Sequence, residues 1–158
     1  MKQIILLRHA EAEISSSNIP DFDREITENG IKSLNNLACL FIENNIKPDL
    51  IITSSANRTF ITAKIIAKKL SIAEEKIIEN RNIYKNDFES NIDILLSVDD
   101  KISSVMFVGH NPAISQMASY FSKEMCGLKT ASSIAFNFDI DSWADLFIGN
   151  AKLVFSII

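Results

Sequence analysis

The chain has 158 residues, 47% hydrophobic and 23% charged, an ordinary globular balance with enough apolar surface for one core; no linker-like tract divides it, so a single domain over 1–158 is expected. A net charge of −4 with scattered Lys and Arg leaves no basic stripe to neutralise a phosphate backbone, which argues against nucleic acid as a partner. The opening MKQIILLRHA holds an apolar run too short for a signal-peptide core and far too short to span a bilayer, so a cytoplasmic location with no membrane partner is expected.

Residues 2–7 read instead as a first strand, continuously apolar after Lys2 and Gln3, as suits a strand buried on both faces of a largely parallel sheet. Between residues 30 and 45, Ile31, Leu34, Leu37, Ala38, Phe41 and Ile42 recur at three- and four-residue intervals, which predicts a helix with Thr27 as N-cap and Glu28 in its first turn. Cys39 falls among these positions. It and Cys126 have no CxxC spacing and are expected to be buried thiols, not a disulfide or a metal pair. DLIIT at 49–53 predicts a second strand, followed at 59–70 by a helix with Phe60, Ala63, Ile66, Ala67 and Leu70 at helical spacing. SVMFVG at 104–109 predicts a third strand, then a helix capped by Asn111, opened by Pro112 and carrying Ile114, Met117, Ala118 and Phe121. Strand then helix, three times, argues an α/β layered fold. SIAFNFD (133–139) and KLVFSI (152–157) predict further strands, separated by a short Trp143 segment and a Gly149-Asn150 turn signal, and suit an antiparallel edge. The expected fold is a three-layer α/β/α sandwich with a mostly parallel central sheet.

Ligands of open α/β sheets bind at the carboxyl ends of the strands. Arg8-His9 ends the first predicted strand, Arg58 follows the second in SSANR, and His110-Asn111 ends the third; His9 and His110 are the only histidines. Taken singly, each has a structural reading: a solvated charge for either Arg, a hydrogen-bonded side chain for either His. Together, two guanidinium groups and two imidazoles at one edge repel one another unless an anion sits among them. A phosphoryl group meets that need, because Arg grips its oxygens in bidentate fashion and its charge must be held through transfer. A metal is the competing use of two histidines, but no HExxH-like pair accompanies them and flanking arginines oppose a cation, so neither metal nor other cofactor is expected.

LLRHAEAE at 6–13 resembles the Arg-His-Gly signature of the histidine phosphatase superfamily, with Ala10 in place of the Gly. DREITENG (23–30) is similar to that family's Arg-Pro-Leu-Thr-x-x-Gly segment, TSSANRTFITA (53–63) to its Ser-x-x-x-Arg-x-x-x-Thr-Ala segment, and VGHNPAIS (108–115) to its second histidine block. The short chain and the His-Asn-Pro block are most similar to the SixA-like phosphohistidine phosphatases of this phosphoglycerate mutase-like group. The resemblance implies that His9 is the nucleophile that becomes phosphorylated and that Arg8, Arg58 and His110 form a catalytic phosphate pocket. Asn111 either lends a backbone N–H to the phosphate or only caps its helix, and the cap is favoured. The implied function is metal-independent hydrolysis of phosphohistidine on a partner protein, such as a phosphotransfer domain in signal transduction. The chemistry agrees: an imidazole with one free nitrogen is a competent phosphoryl acceptor, and its other nitrogen is expected to donate to a backbone carbonyl. Arg8 and Arg58 would hold the equatorial oxygens, and the helix starting near Pro112 would add the positive end of its dipole beside His110.

Many members of the family carry a Glu that protonates an alcohol leaving group. The comparable stretch IIENRNIYKNDFES offers Tyr84, with Asp87 and Glu89 beyond; Glu11, Glu13, Asp21 and Asp23 are further acids, each expected to be a solvated loop charge. Lack of a dedicated acid favours leaving groups that depart without strong help, hence the P–N bond of phosphohistidine over sugar phosphates. Two alternatives follow from the same residues: a small-molecule phosphomonoesterase, and a non-catalytic phosphate- or phosphoprotein-binding module, which has no use for a nucleophilic His9. Ala10 is expected to be tolerated, since Ala occupies ordinary backbone regions. The polar loop at 15–22 is expected to be mobile, either a connection or a docking surface.

Overall fold

Residues 1–146 and 151–158 are described by the computed structural model, and the Gly149-Asn150 turn signal lies outside them. The described strands are β1 (Lys2–Arg8), β2 (Leu50–Thr53), β3 (Ile77–Glu79), β4 (Ser104–Gly109), β5 (Ser133–Phe138) and β6 (Ala151–Ile157), joined in one sheet in the order β3-β2-β4-β1-β5-β6. β1 to β4 run parallel, β5 is antiparallel to β1, and β6 is antiparallel to β5, so the sheet is mostly parallel with the antiparallel edge read from the sequence. Helices α1 (Glu28–Glu43) and α2 (Asn57–Lys69) cover one face, and α3 (Phe88–Leu96) and α4 (Ala113–Ser122) cover the other.

Period-two alternation, with both faces of the sheet covered, explains why residues 4–7 of β1 are all apolar. Ile5 and Leu7 pack with Leu34, Phe41 and Ile66 on the α1/α2 side, while Ile4 and Leu6 pack with Leu95, Met117 and Phe121 on the α3/α4 side. From β1 the chain crosses through α1 toward β2; from β4 it crosses through α4 in the opposite direction to β5. The crevice outside the carboxyl ends of the adjacent strands β1 and β4 is therefore the switch point where such sheets bind ligands.

Thr27 caps α1 as expected, its Oγ1 accepting from the Gly30 N–H at 3.0 Å. Three sequence expectations need correction. Cys39 is exposed: the buried stripe of α1 is Leu34, Leu37, Ala38 and Phe41, and one residue past Ala38 the helix has turned to solvent, where Ile31 and Ile42 also lie. Cys126 is half-buried, with its sulfur 3.2 Å from the Ser122 hydroxyl. Asn111 does not cap α4, because its side chain bonds the Ser115 hydroxyl (2.6 Å) and the Leu128 carbonyl (3.0 Å); Asn86 Oδ1, from another loop, accepts from the Ala113 N–H at 3.1 Å. Neither β3 nor α3 was read from the sequence. β3 has only three residues and α3 nine, although Asp87, whose carboxylate accepts from the Ser90 N–H at 2.8 Å, marks the start of α3 as an N-cap.

The first turn of α1 presses directly on the chain leaving β1. A Cβ on Gly30 would lie 2.5 Å from the Glu11 carbonyl oxygen and 2.7 Å from Ile26 Cγ2. Alanine normally stabilises a helix relative to glycine, but a backbone oxygen cannot retreat cheaply. Gly30→Ala is expected to destabilise the protein by about 1–3 kcal/mol, seen as a lower urea midpoint; an unchanged or raised midpoint would contradict this packing.

Candidate active site

Arg8 stands opposite Gly109 in the β1–β4 register, so the next residues, His9 and His110, leave neighbouring strands side by side with ring centroids 5.2 Å apart. The loop after β1 is held from both flanks, the His9 N–H donating to the Gly109 carbonyl (3.2 Å) and the Ala131 N–H to the His9 carbonyl (3.1 Å). Ala10 is fully buried, has a negative φ, and donates its N–H to Thr62 Oγ1 on α2 at 3.1 Å, so the backbone here is one that alanine adopts without strain.

Arg58 lies in the first turn of α2, on its inward face and only 6% exposed. Its Nε is 3.4 Å from His9 Nε2, while His9 Nδ1 is 2.7 Å from the Ala10 carbonyl oxygen. Both contacts fit one neutral tautomer, with Nδ1–H donating to Ala10 and the Nε2 lone pair facing Arg58. The two terminal nitrogens of Arg58 donate to Asp21, one to its carbonyl (2.6 Å) and one to its carboxylate (3.1 Å).

These groups line a cavity of about 490 Å³. Arg8 reaches it half-buried, donating Nη1 to the Leu128 carbonyl at 2.9 Å, while its Nε and both ring nitrogens of His110 are buried without a hydrogen-bond partner among the described residues. Asn111 also lines the cavity, so all five residues singled out in the sequence meet there. Arg24, Asn86 and Thr130 join them and were not singled out, although Arg24 is the first match in the quoted DREITENG segment.

Asp21 departs from the solvated charge expected of it. A short helical turn at Asp21–Asp23 brings its carboxylate between Arg24 Nη1 (3.0 Å), Arg58 Nη2 (3.1 Å) and the Tyr84 hydroxyl (3.0 Å). Glu11 lines the cavity too, its carboxylate accepting from the Thr27 hydroxyl at 2.7 Å; Asp87 is spent as a helix cap, and Glu13, Asp23 and Glu89 are not part of the lining. The loop at 15–22, expected to be mobile and either a connection or a docking surface, carries an antiparallel bridge between Ser16 and Ile19 and supplies one wall of the site through Asp21.

Burial pushes the His9 imidazole down to about 4; the bond to the Ala10 carbonyl opposes this, and the charges of Arg58, Arg8 and Arg24 reinforce it. Burial likewise takes His110 down to about 3, helped by His9 and Arg58. Both rings are therefore neutral at physiological pH. Burial also lowers Arg8. For Asp21, burial raises the carboxyl, but hydrogen bonds from Arg24, Tyr84 and Arg58 outweigh it and hold the group below the usual carboxylate range. Among the described residues no group of three or more His, Cys, Asp and Glu is arranged to hold a metal ion, and no helix is long and apolar enough to cross a membrane.

Neutral imidazoles and guanidinium donors thus meet in the strand-end crevice of a doubly wound α/β protein. Residues 4–88 match the histidine phosphatase superfamily (branch 1), and the chain belongs to that family. An uncharacterized chloroplastic protein of Arabidopsis thaliana is 26% identical over 155 residues, covering 92% of this chain and 71% of that one. Among solved structures, the Agrobacterium tumefaciens protein designated SixA, a provisional phosphohistidine phosphatase, superposes with a TM-score of 0.83 at 22% identity over 99% of this chain and 97% of that one. The protein histidine phosphatase SixA complexed with tungstate gives 0.82 at 15% identity over 98% and 96%. The fold is accordingly phosphoglycerate mutase-like.

The buried imidazoles carry a pH signature. A histidine depressed in the folded state binds its proton more readily when unfolded, so its contribution to stability is full above about pH 6.5 and is lost as pH falls toward 4. Ring titration by NMR is expected to show both histidines still neutral at pH 6. A midpoint near 6.5 for either would contradict the burial described.

Proposed function

We propose that this protein is a phosphatase that removes the phosphoryl group from phosphohistidine on a partner protein, without a metal, through a covalent intermediate on His9 Nε2. The observation that carries the reading is the orientation of His9. Its Nδ1 is committed to the Ala10 carbonyl, so the Nε2 lone pair is available beside the Arg58 guanidinium, where an oxyanion would be gripped.

In the first step Nε2 attacks phosphorus in line and the substrate P–N bond breaks, its electron pair returning to the leaving imidazole nitrogen. If that ring carries a proton on its other nitrogen, it departs as neutral imidazole and needs no acid from the enzyme. Arg58 and Arg8, with its unpartnered Nε, donate to the equatorial oxygens, and Arg24 adds charge from the cavity lining. A phosphoryl group entering the cavity would favour the protonated form of His110, making that ring a further donor, and Asn111 would contribute at its backbone. In the second step water attacks the phosphohistidine, the P–N electron pair returns to Nε2, and inorganic phosphate leaves with both protons of the water.

Leaving-group preference follows from Asp21. Although placed by the cavity mouth, it is held as a carboxylate by Arg24, Tyr84 and Arg58 and is a poor proton donor near neutrality. Alkoxides, which need that proton, are disfavoured relative to imidazole, and a histidine phosphotransfer domain is the partner class that fits. The SixA neighbour binds tungstate, a tetrahedral oxyanion, which is in keeping with an oxyanion pocket at this strand edge.

With no added metal, kcat/KM for a phosphohistidine-bearing phosphotransfer protein and for phosphoramidates is expected to exceed that for alkyl phosphates by about a hundredfold, the low end of what a positioned acid supplies. His9→Ala should abolish release from all of them. Equal turnover of phosphoramidates and alkyl phosphates would remove the P–N preference, and retained oxyanion binding without release from any substrate would leave only a binding module.

A further inference from the structure

The mouth of the cavity is aromatic on one side. Tyr84 meets His110 edge-on at 5.9 Å and 79° between planes, and Phe22 meets the Tyr84 ring in the same manner at 5.1 Å and 82°. The Tyr84 hydroxyl donates to Asp21 at 3.0 Å, so the ring is held at its polar end by Asp21 and along its sides by Phe22 and His110. Tyr84 lines the cavity, whereas Phe22 stands behind it as a brace.

In-line attack decides which part of a substrate this ring would meet. His9 lies on the floor, 7% exposed, and Tyr84 is a half-exposed residue of the mouth. A nucleophile rising from the floor expels its leaving group toward the mouth. An aromatic wall suits a flat ring that can pack against it in an offset or edge-to-face manner.

We infer that the Tyr84 ring, braced by Phe22, reads the leaving group as a planar heteroaromatic, so that this site selects the imidazole of phosphohistidine over acyclic phosphoramidates. The inference rests on the phosphatase reading above and assigns its specificity to a residue that has no part in the phosphoryl transfer itself. The hydroxyl of Tyr84 positions the ring and is not the group that recognises the substrate.

The test compares two P–N substrates, N-phosphoimidazole and phosphoramidate, which share the phosphoryl group and differ in the ring. The readout is the ratio of their kcat/KM values in wild type, Tyr84→Leu, Tyr84→Phe and Phe22→Leu, each first shown by circular dichroism to be folded. Tyr84→Leu should lower the ratio about three- to tenfold, mainly by raising KM for N-phosphoimidazole, the range expected for losing one aromatic pair. Tyr84→Phe keeps the ring and should stay within about twofold of wild type; Phe22→Leu should fall between. An unchanged ratio in both leucine variants overturns the inference, as does a fall in Tyr84→Phe as large as in Tyr84→Leu, which would credit the hydroxyl. Absence of release from either substrate by the wild-type protein would remove the phosphatase reading and this inference with it, whereas turnover with no response of the ratio removes the inference alone.

Discussion

The pairing of β1 with β4 is the constraint on which the site depends. Six consecutive residues of β1 stand opposite six of β4, from Gln3 with Ser104 to Arg8 with Gly109. Because side chains alternate across a strand, a slip of one residue would exchange Ile5 and Leu7 with Ile4 and Leu6 between two differently shaped cores. The register is thus locked by burial on both faces, and the same register delivers His9 and His110 to one crevice. β2, the other parallel neighbour of β4, ends at Thr53, and the turn that follows brings Arg58 to the same edge. No loop has to reach far to bring His9, Arg58 and His110 together, so the geometry of these three inherits the rigidity of the sheet.

Charge is the second organising principle. Three guanidinium groups and two imidazoles share the cavity, and their mutual repulsion is relieved in two ways. Burial keeps both imidazoles neutral, and Asp21 acts as an internal counterion between Arg24 and Arg58. Asp21 is 45% exposed at its side chain while Arg58 is 7% exposed, so the ion pair matters less as a source of stability than as a means of orienting a buried guanidinium at the cavity. The same contact leaves Asp21 ill-suited to proton donation, so in the proposed reaction the ion pair that orients Arg58 would also shape the choice of leaving group.

Much of this was legible in the residues. Continuous apolar runs gave β1, β2 and β4, helical spacing gave α1, α2 and α4, and the strand ends pointed to Arg8, His9, Arg58 and His110 because ligands gather where parallel strands finish. What escaped was short or nonlocal. β3 is too brief for a periodic signal, and α3 is a nine-residue helix whose cap, Asp87, lay among other candidate acids. Asn111 is a residue type that often caps, but the Ser115 hydroxyl one turn on and the distant Leu128 carbonyl claim its side chain while Asn86 serves the start of α4 from another loop. Asp21 and Arg24 sit in a polar loop whose composition alone suggests solvation; only the fold turns it back onto Arg58. Cys39 shows the limit of spacing arguments, since one helical step separates the buried stripe from solvent.

The central claim is that His9 carries the phosphoryl group between the two steps. Rapid quenching of the protein with a phosphohistidine substrate, followed by peptide mass spectrometry under alkaline conditions, tests it most directly. The account predicts an acid-labile, base-stable phosphoryl group on the peptide containing His9, formed and lost at the rate of turnover and absent from His9→Ala. Turnover with no phosphoryl group trapped at His9, or turnover that survives His9→Ala, would contradict it.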